Sequence, residues 1–368
     1  MTLLDARITE ALQGPRFALI GAGQLGAMAL DMWPVTRPRP EFCLDSAKSG
    51  QLADLPVYDL KTHEPVSGVT YLLSAFKLPV SDVQAIFNRL GQDLILTVYD
   101  LFEETIPDWF SNGWRNLEPD SSVQARLNHL ANDYADDLSA QAVAAASAWR
   151  YQRELMPDYP VGPESAKYDL SLFGRHGCHY HQVLDLGAFD LGFQDSLEKV
   201  AVRYDHYLAF EADPRCVAQC EDRKSRLDPD RAAKTRIANV AISEDTKTRR
   251  FLACGLLAAR LLDENAPPHP DEIRVNATSL DHYAGLDQVS HQRLLIKLHI
   301  EGEELPALRG VAALLEKNQC DILANLSHTE SQFLDVPSFI RAFGQHEVYL
   351  RSHSLFGEGL TLFAKYRH

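Results

Sequence analysis

Cysteine is scarce and unpatterned in this chain: Cys43, Cys178, Cys216, Cys220, Cys254 and Cys320 are spread over 368 residues. That spacing excludes the dense framework of a disulfide-stapled secreted domain. The close pair Cys216 and Cys220 is too small a donor set for a structural metal. Long apolar runs are also missing, since none approaches the roughly 20 residues of a membrane helix. The opening MTLLDARITEALQG lacks the basic and apolar blocks of a signal peptide. A cytoplasmic protein with reduced thiols and no membrane partner is expected. Positive charge is the third shortage: 36 Lys and Arg face 51 Asp and Glu, a net charge of -15. Such a field repels phosphate backbones, so nucleic acid is not an expected partner.

What is present suits a folded chain. Hydrophobic residues make up 45% and charged ones 24%, enough apolar surface to outweigh the entropy of ordering. A length of 368 residues favours two domains. Near the start, RFALIGAGQLGAMALDMW reads as a strand, a glycine turn and a helix, followed by the strand EFCLD. Gly21, Gly23 and Gly26 satisfy G-x-G-x-x-G, and Asp45 stands at the distance of a ribose-binding acid. VTYLLSA and DLILTVYDL read as two more strands around the helix SDVQAIFNRLG, capped by Ser81. The expected organisation is a smaller Rossmann-like α/β domain over 1–117, a helical linker over 118–165 that is rich in alanine and leucine, and a second α/β domain over 166–368. The linker is closed by the prolines of MPDYPVGP.

The second domain opens with HQVLDLGAFDLG, in which Asp185 closes a strand and Gly187 begins a turn into a helix. The next strand, YLAFEADP, ends at Glu211, where a carboxylate can hold both ribose hydroxyls of a nucleoside. Such a turn serves NAD and S-adenosylmethionine alike. The opening aspartate and the lack of three close glycines for a pyrophosphate favour S-adenosylmethionine. The final segments, EVYLRSH and LTLFAKYR, can pair as an antiparallel edge hairpin.

Taken in order, DLGAFD, FEADP, NATSLDHY and LLIKLHIEGEELPALRG resemble the FkbM family of S-adenosylmethionine-dependent methyltransferases, over Val183 to Arg367. The resemblance implies a seven-stranded class I methyltransferase domain. It makes Asp185, Gly187 and Ala188 the cofactor turn, Glu211 the ribose ligand and Asp281 a wall of the pocket; Ala241, in TRIANVAIS, is counted with the cofactor residues. Lys297, Glu301, Gly302 and Glu304 match the late family signature Lys-x-Asp-x-Glu-Gly-x-Glu. The sequence departs from the pattern twice, with His299 at the usual aspartate and Leu191 at a usual glycine, Gly192 following.

His299 falls at a strand's carboxyl end, where α/β active sites lie, and is the expected general base. Lys297 sits two residues earlier, on the same face of the strand. Glu301 is either a third member of that catalytic set or, with Glu304, a carboxylate favouring a helix N-terminus. His328, in ANLSHTES, is weighed as a further pocket histidine. The run RHGCHYH, Arg175 to His181, suggests a metal but lacks a distant ligand set, so no metal is expected. The expected activity is methylation of a hydroxyl on a sugar or glycan. A nicotinamide oxidoreductase working through Gly21, Gly23, Gly26 and Asp45, and a catalytically silent nucleotide-binding module, remain as alternatives.

Overall fold

Apolar runs of strand length, each bounded by glycine, proline or a capping residue, become strands in both halves of the chain. The computed structural model describes residues 2–106, 109, 113–163, 167–174, 177–253, 259–286 and 288–367. They divide into two compact units: one of Met1–Ala125, Ala144–Val161 and His353–Glu358, the other of Arg126–Val143, Gly162–Ser352 and Gly359–His368. The stretch 118–165, expected as a linker, therefore contributes helical residues to both.

In the first unit, β1 (Phe17–Ile20), β2 (Phe42–Asp45), β3 (Gly50–Leu52), β4 (Leu55–Asp59) and β5 (Thr70–Leu73) form a sheet in the order β3-β4-β2-β1-β5. Only the β3–β4 pair is antiparallel. Of the strand expected in DLILTVYDL only an isolated parallel bridge from Thr97 to Leu73 forms, and a helix follows at once, Val98–Thr105. Its start was written in TVYD: Thr97 and Asp100 close a capping box, each side chain binding the other residue's backbone N–H. β-propensity in that run loses to two satisfied orphan donors. The helix Val80–Arg89 likewise begins one residue before Ser81, after Pro79.

In the second unit, β6 (His179–Leu186), β7 (Arg203–Glu211) and β8 (Thr235–Asn239) run parallel on one side of the sheet. TRIANVAIS, read as one strand, breaks at Val240, and β9 (Ala241–Ile242) joins a separate four-stranded sheet with β10 (Lys247–Leu252), β11 (Arg260–Leu261) and β12 (Glu272–Thr278). β13 (Arg293–Leu298) and β14 (Gln319–Asn325) continue the large sheet, and β15 (His346–Ser352) with β16 (Leu360–Tyr366) forms the expected antiparallel edge hairpin. The seven-stranded order is β15-β16-β14-β13-β6-β7-β8. β6 thus lies between β7, its successor, and β13, which the chain reaches only after leaving the sheet. That reversal places a crevice at the carboxyl ends of β6, β7 and β13. Among the described residues no helix is long and apolar enough to cross a membrane.

Candidate active site

Parallel pairing brings the crevice residues together from four separate stretches. β6 and β13 pair so that Lys297 is the direct neighbour of Asp185. Both are buried in a core of leucine, isoleucine and valine, where isolated charges would be prohibitive. They satisfy each other: Lys297 Nζ lies 2.9 Å from Asp185 and donates to the Gly187 carbonyl at 2.6 Å. Tyr207, diagonal to Asp185 on β7, donates its hydroxyl to the same carboxylate. Burial pulls the Lys297 ammonium down, but Asp185 and Tyr168 outweigh it and hold the group above its ordinary value. Lys297 therefore stays charged and is unsuited to accept a proton.

Gly187 follows directly. Its φ is +77°, and a Cβ there would sit 2.0 Å from the backbone oxygen of His299. Only glycine lets the β6 turn and the end of β13 approach so closely. The amides of Gly187 and Ala188 both donate to the Phe210 carbonyl, tying the turn to β7. Leu191, where a glycine was expected, holds a φ of +64° although fully buried, so the turn keeps its left-handed step without a glycine.

Glu211 ends β7 with its carboxylate facing a cavity of about 240 Å³. One oxygen accepts from the Phe189 amide and the other from the Asp213 amide, both at 2.9 Å. Each oxygen keeps a further lone pair, the donor set that a pair of ribose hydroxyls needs. Burial pushes the Glu211 carboxyl up despite those two amides. Gly187, Ala188 and Ala241 line the same cavity, as do Lys297, His299 and Glu301. Small residues at the turn, an acid at the strand end and an apolar wall from Phe210 and Ile242 fit the adenosine part of S-adenosylmethionine. Asp185 is not among the lining residues and pairs with Lys297, which is. Asp281, expected in the wall, is not among the lining residues and accepts instead from the amides of Ala313 and Leu314, both at 3.0 Å.

At the other end of the cavity, His299 Nδ1 lies 2.9 Å from the Tyr168 hydroxyl and its Nε2 lies 3.2 Å from Glu301. The second oxygen of Glu301 lies 3.2 Å from Nδ1 of His328. Glu301 takes up this place through an unusual backbone, φ +51°, followed by Gly302 at +106°. The turn is held by Glu304, which is fully buried and accepts from the amides of Ile300 and Gly302 at 2.8 and 3.0 Å. The Gln332 side chain donates to Glu304 while its carbonyl accepts from the amides of His328 and Thr329. Glu304 thus clasps the turn that presents Glu301 and, through Gln332, the loop that presents His328. Burial, with Glu304 adding to it, lifts the Glu301 carboxyl well above its usual range; burial pushes Glu304 up to about 7 and the Tyr168 phenol up to about 12. Replacing Glu304 with Ala strands the amides and the Gln332 carboxamide together. A loss of about 2–4 kcal/mol is expected, read as a lower denaturant midpoint at unchanged slope.

In the first unit, the motif glycines shape their own turn. A Cβ at Gly26 would meet the Gly21 carbonyl at 2.3 Å, and Gly23 precedes the helix Gln24–Asp31. Asp45 accepts from the amides of Ala22, Ala47 and Lys48 at 2.7–2.8 Å. Burial pushes its carboxyl up, but those amides outweigh it and hold it below the usual range. Within RHGCHYH, Arg175 and His176 lie outside the described residues, as does Cys254. His179 faces Asp205 at 2.8 Å, and His181 accepts from the Arg293 amide at 3.1 Å. Tyr168, Tyr207 and Gln332 are the site residues that sequence reasoning missed. Each reaches its partner through a register or loop path that spacing along one segment does not display.

Residues 185–353 match the family described as methyltransferase FkbM domain. The crystal structure of methyltransferase FkbM from Methylobacillus flagellatus KT shares the fold at a TM-score of 0.67 and 17% identity, covering 98% of this chain and 93% of that one. Two looser likenesses are the precorrin-6y C5,15-methyltransferase from Geobacter metallireducens GS-15 and the N-terminal domain of human METTL16 in complex with SAH. The first has a TM-score of 0.31 at 11% identity, over 54% of this chain and 87% of that one. The second has a TM-score of 0.31 at 10% identity, over 68% and 95%. No curated protein matches the sequence. With the turn at Gly187, the acid at Glu211 and the seven-stranded sheet all inside or beside the matched span, the chain carries an FkbM methyltransferase domain and is an S-adenosylmethionine-dependent methyltransferase.

Proposed function

We propose that the enzyme methylates a hydroxyl group of a sugar or glycan. The observation that supports this is the trio His299, Glu301 and His328, of which His299 and Glu301 line the cavity together with Gly187. A hydroxyl is a weak nucleophile until its proton leaves, so it needs such a group within reach. When bound, S-adenosylmethionine supplies a methyl group on a sulfonium, an electrophile that needs no acid. The chain's work is then to align and to deprotonate. Gly187, Ala188 and Ala241 would border the nucleoside, with Glu211 accepting from its ribose hydroxyls. Lys297 would act as a positioning residue, anchoring the Gly187 carbonyl to Asp185. His299 and Glu301 would take part in removing the acceptor's proton. Phe189, 39% exposed at the cavity edge, offers an aromatic face to a sugar ring.

The N-terminal unit, with Gly21, Gly23, Gly26 and Asp45, is proposed as a second nucleotide or sugar-nucleotide binding module, on the strength of its parallel sheet and glycine turn. Titration with UDP-sugars and NAD, in wild type and Asp45→Ala, tests it. Saturable binding weakened in the variant is expected, and no binding to either ligand overturns it.

Transfer of a labelled methyl group from S-adenosylmethionine to a panel of mono- and oligosaccharides tests the acceptor class. Incorporation into sugar O-methyl ethers is expected, and incorporation only into amines overturns it. Glu211→Gln retains the shape but halves the acceptor capacity of the carboxylate. S-adenosylmethionine binding is expected to weaken by about 2 kcal/mol, or roughly 30-fold, by isothermal titration calorimetry. An unchanged affinity would remove Glu211 from the cofactor site.

A further inference from the structure

The family signature places an aspartate where this chain has His299, and the structure shows what the exchange assembles. His299, Glu301 and His328 present ligand atoms that all lie within 4.8 Å of one another. Glu301 offers one oxygen to each ring, at 3.2 Å in both cases. Ligand atoms that share one ion at bond lengths of about 2.0–2.2 Å stand roughly 3–3.5 Å apart, and each ring already stands at that span from its own oxygen of Glu301. The three side chains come from two loops after neighbouring parallel strands, β13 and β14, and the turn and loop that carry them are locked together through Glu304 and Gln332.

We propose that His299 Nε2, a carboxylate oxygen of Glu301 and His328 Nδ1 bind one divalent transition ion of the zinc type at the acceptor end of the cavity. The donor set decides the class of ion. Nitrogen donors from two imidazoles suit zinc, iron, copper or nickel, whereas magnesium and manganese prefer oxygen and water. The surroundings fit as well. The Tyr168 oxygen at 2.9 Å can accept the Nδ1 proton of His299, the tautomer in which Nε2 carries the lone pair that a metal needs. Glu301, with a side chain only 13% exposed, gains a countercharge. Three protein ligands, two of them lining the cavity, would leave a further position for water or acceptor, the ligand count of catalytic rather than structural zinc.

This inference rests on the hydroxyl-methylating reading of the same cavity and says how the proton is lost there. Held by His299, Glu301 and His328, such an ion would lower the pKa of an acceptor hydroxyl bound to it, so that the proton could pass to water. The oxygen keeps the electron pair with which it forms the new bond to the methyl carbon, while the carbon–sulfur bond breaks and its electrons stay on sulfur, releasing S-adenosylhomocysteine. The histidine that departs from the family pattern becomes a ligand that an aspartate would supply only as a harder oxygen donor.

The test is calorimetric titration of the EDTA-treated full chain with Zn²⁺, Mn²⁺ and Mg²⁺. One Zn²⁺ per chain is expected, with Mg²⁺ at least about 100-fold weaker. Glu301→Gln and His328→Asn should each weaken Zn²⁺ binding by about 100-fold or more. S-adenosylhomocysteine titrated into the same variants should bind within about threefold of wild type, reporting an intact fold at the neighbouring site. As a measurement that needs no variant, Co²⁺ added to wild type should give saturable visible bands of four- or five-coordinate nitrogen and oxygen ligation. No saturable Zn²⁺ heat, no Co²⁺ bands, or undiminished Zn²⁺ affinity in the Glu301→Gln/His328→Asn double variant would each overturn the site. Zn²⁺ binding lost in the variants, in a protein that methylates no hydroxyl, would uphold the metal site and overturn the acceptor reading instead.

Discussion

Lys297→Met is expected to destabilise the methyltransferase unit by about 3–5 kcal/mol. Methionine replaces the stem of the lysine well, so little packing is lost. What is lost is the charge: Asp185, fully buried, keeps the Tyr207 hydroxyl but no cation. The Gly187 carbonyl loses its donor at the same time. A carboxylate left in that position either takes up a proton or draws in water, and both open the sheet where the cofactor turn leaves it. The measurement is chemical denaturation of wild type, Lys297→Met and the double variant Lys297→Met/Asp185→Leu. Removing both charges should recover most of the loss, because the cost lies in the unpaired charge and not in the missing pair. A double variant no more stable than the single one would show that the pair holds the turn by direct geometry. If instead Lys297→Met leaves stability untouched while abolishing turnover, Lys297 acts on substrate and is not a positioning residue.

That pair also marks the boundary of what the sequence discloses. The strand ends themselves were legible: Asp185, Glu211 and His299 each close an apolar run, and apolar runs ending in one polar residue are how parallel strands deliver side chains to a crevice. The turn at Gly187 was legible for the same reason. The pairing of Lys297 with Asp185 was not, because it depends on β6 and β13 being neighbours in one particular register, and these strands are separated by more than a hundred residues. Spacing within either strand carries no trace of it. Glu304 shows the opposite error. Its position near a helix start suggested a capping carboxylate, yet its side chain turns back to clasp the amides of Ile300 and Gly302, in front of the helix Glu304–Arg309. In the first unit the misread segment DLILTVYDL contained its own correction, since the Thr97 and Asp100 capping pair outranks the β-branched residues around it. Local chemistry was therefore readable where it was looked for, and long-range register was not.

His299→Ala is expected to lower kcat for methyl transfer by about 10²–10⁴-fold, the range for removing a group that acts on the acceptor's proton. The affinity for S-adenosylmethionine should change by less than about threefold, and the reason is structural. His299 touches the cofactor turn through its backbone, whose oxygen packs against Gly187 and whose amide donates to the Leu186 carbonyl. Alanine preserves both contacts. The imidazole contacts Tyr168 and Glu301 instead. Side chain and backbone of one residue thus have separate partners, so the substitution is expected to separate kcat from cofactor binding. His299→Asp sharpens the point by restoring the residue that the family signature places there. If the histidine acts only by accepting a proton, aspartate should recover part of the rate without any metal. If it acts as a ligand, aspartate should recover rate only together with an ion, and Mn²⁺ should then compete better against Zn²⁺ than in wild type, because the donor has become an oxygen. An alanine variant with unchanged kcat would remove His299 from the chemistry under either mode.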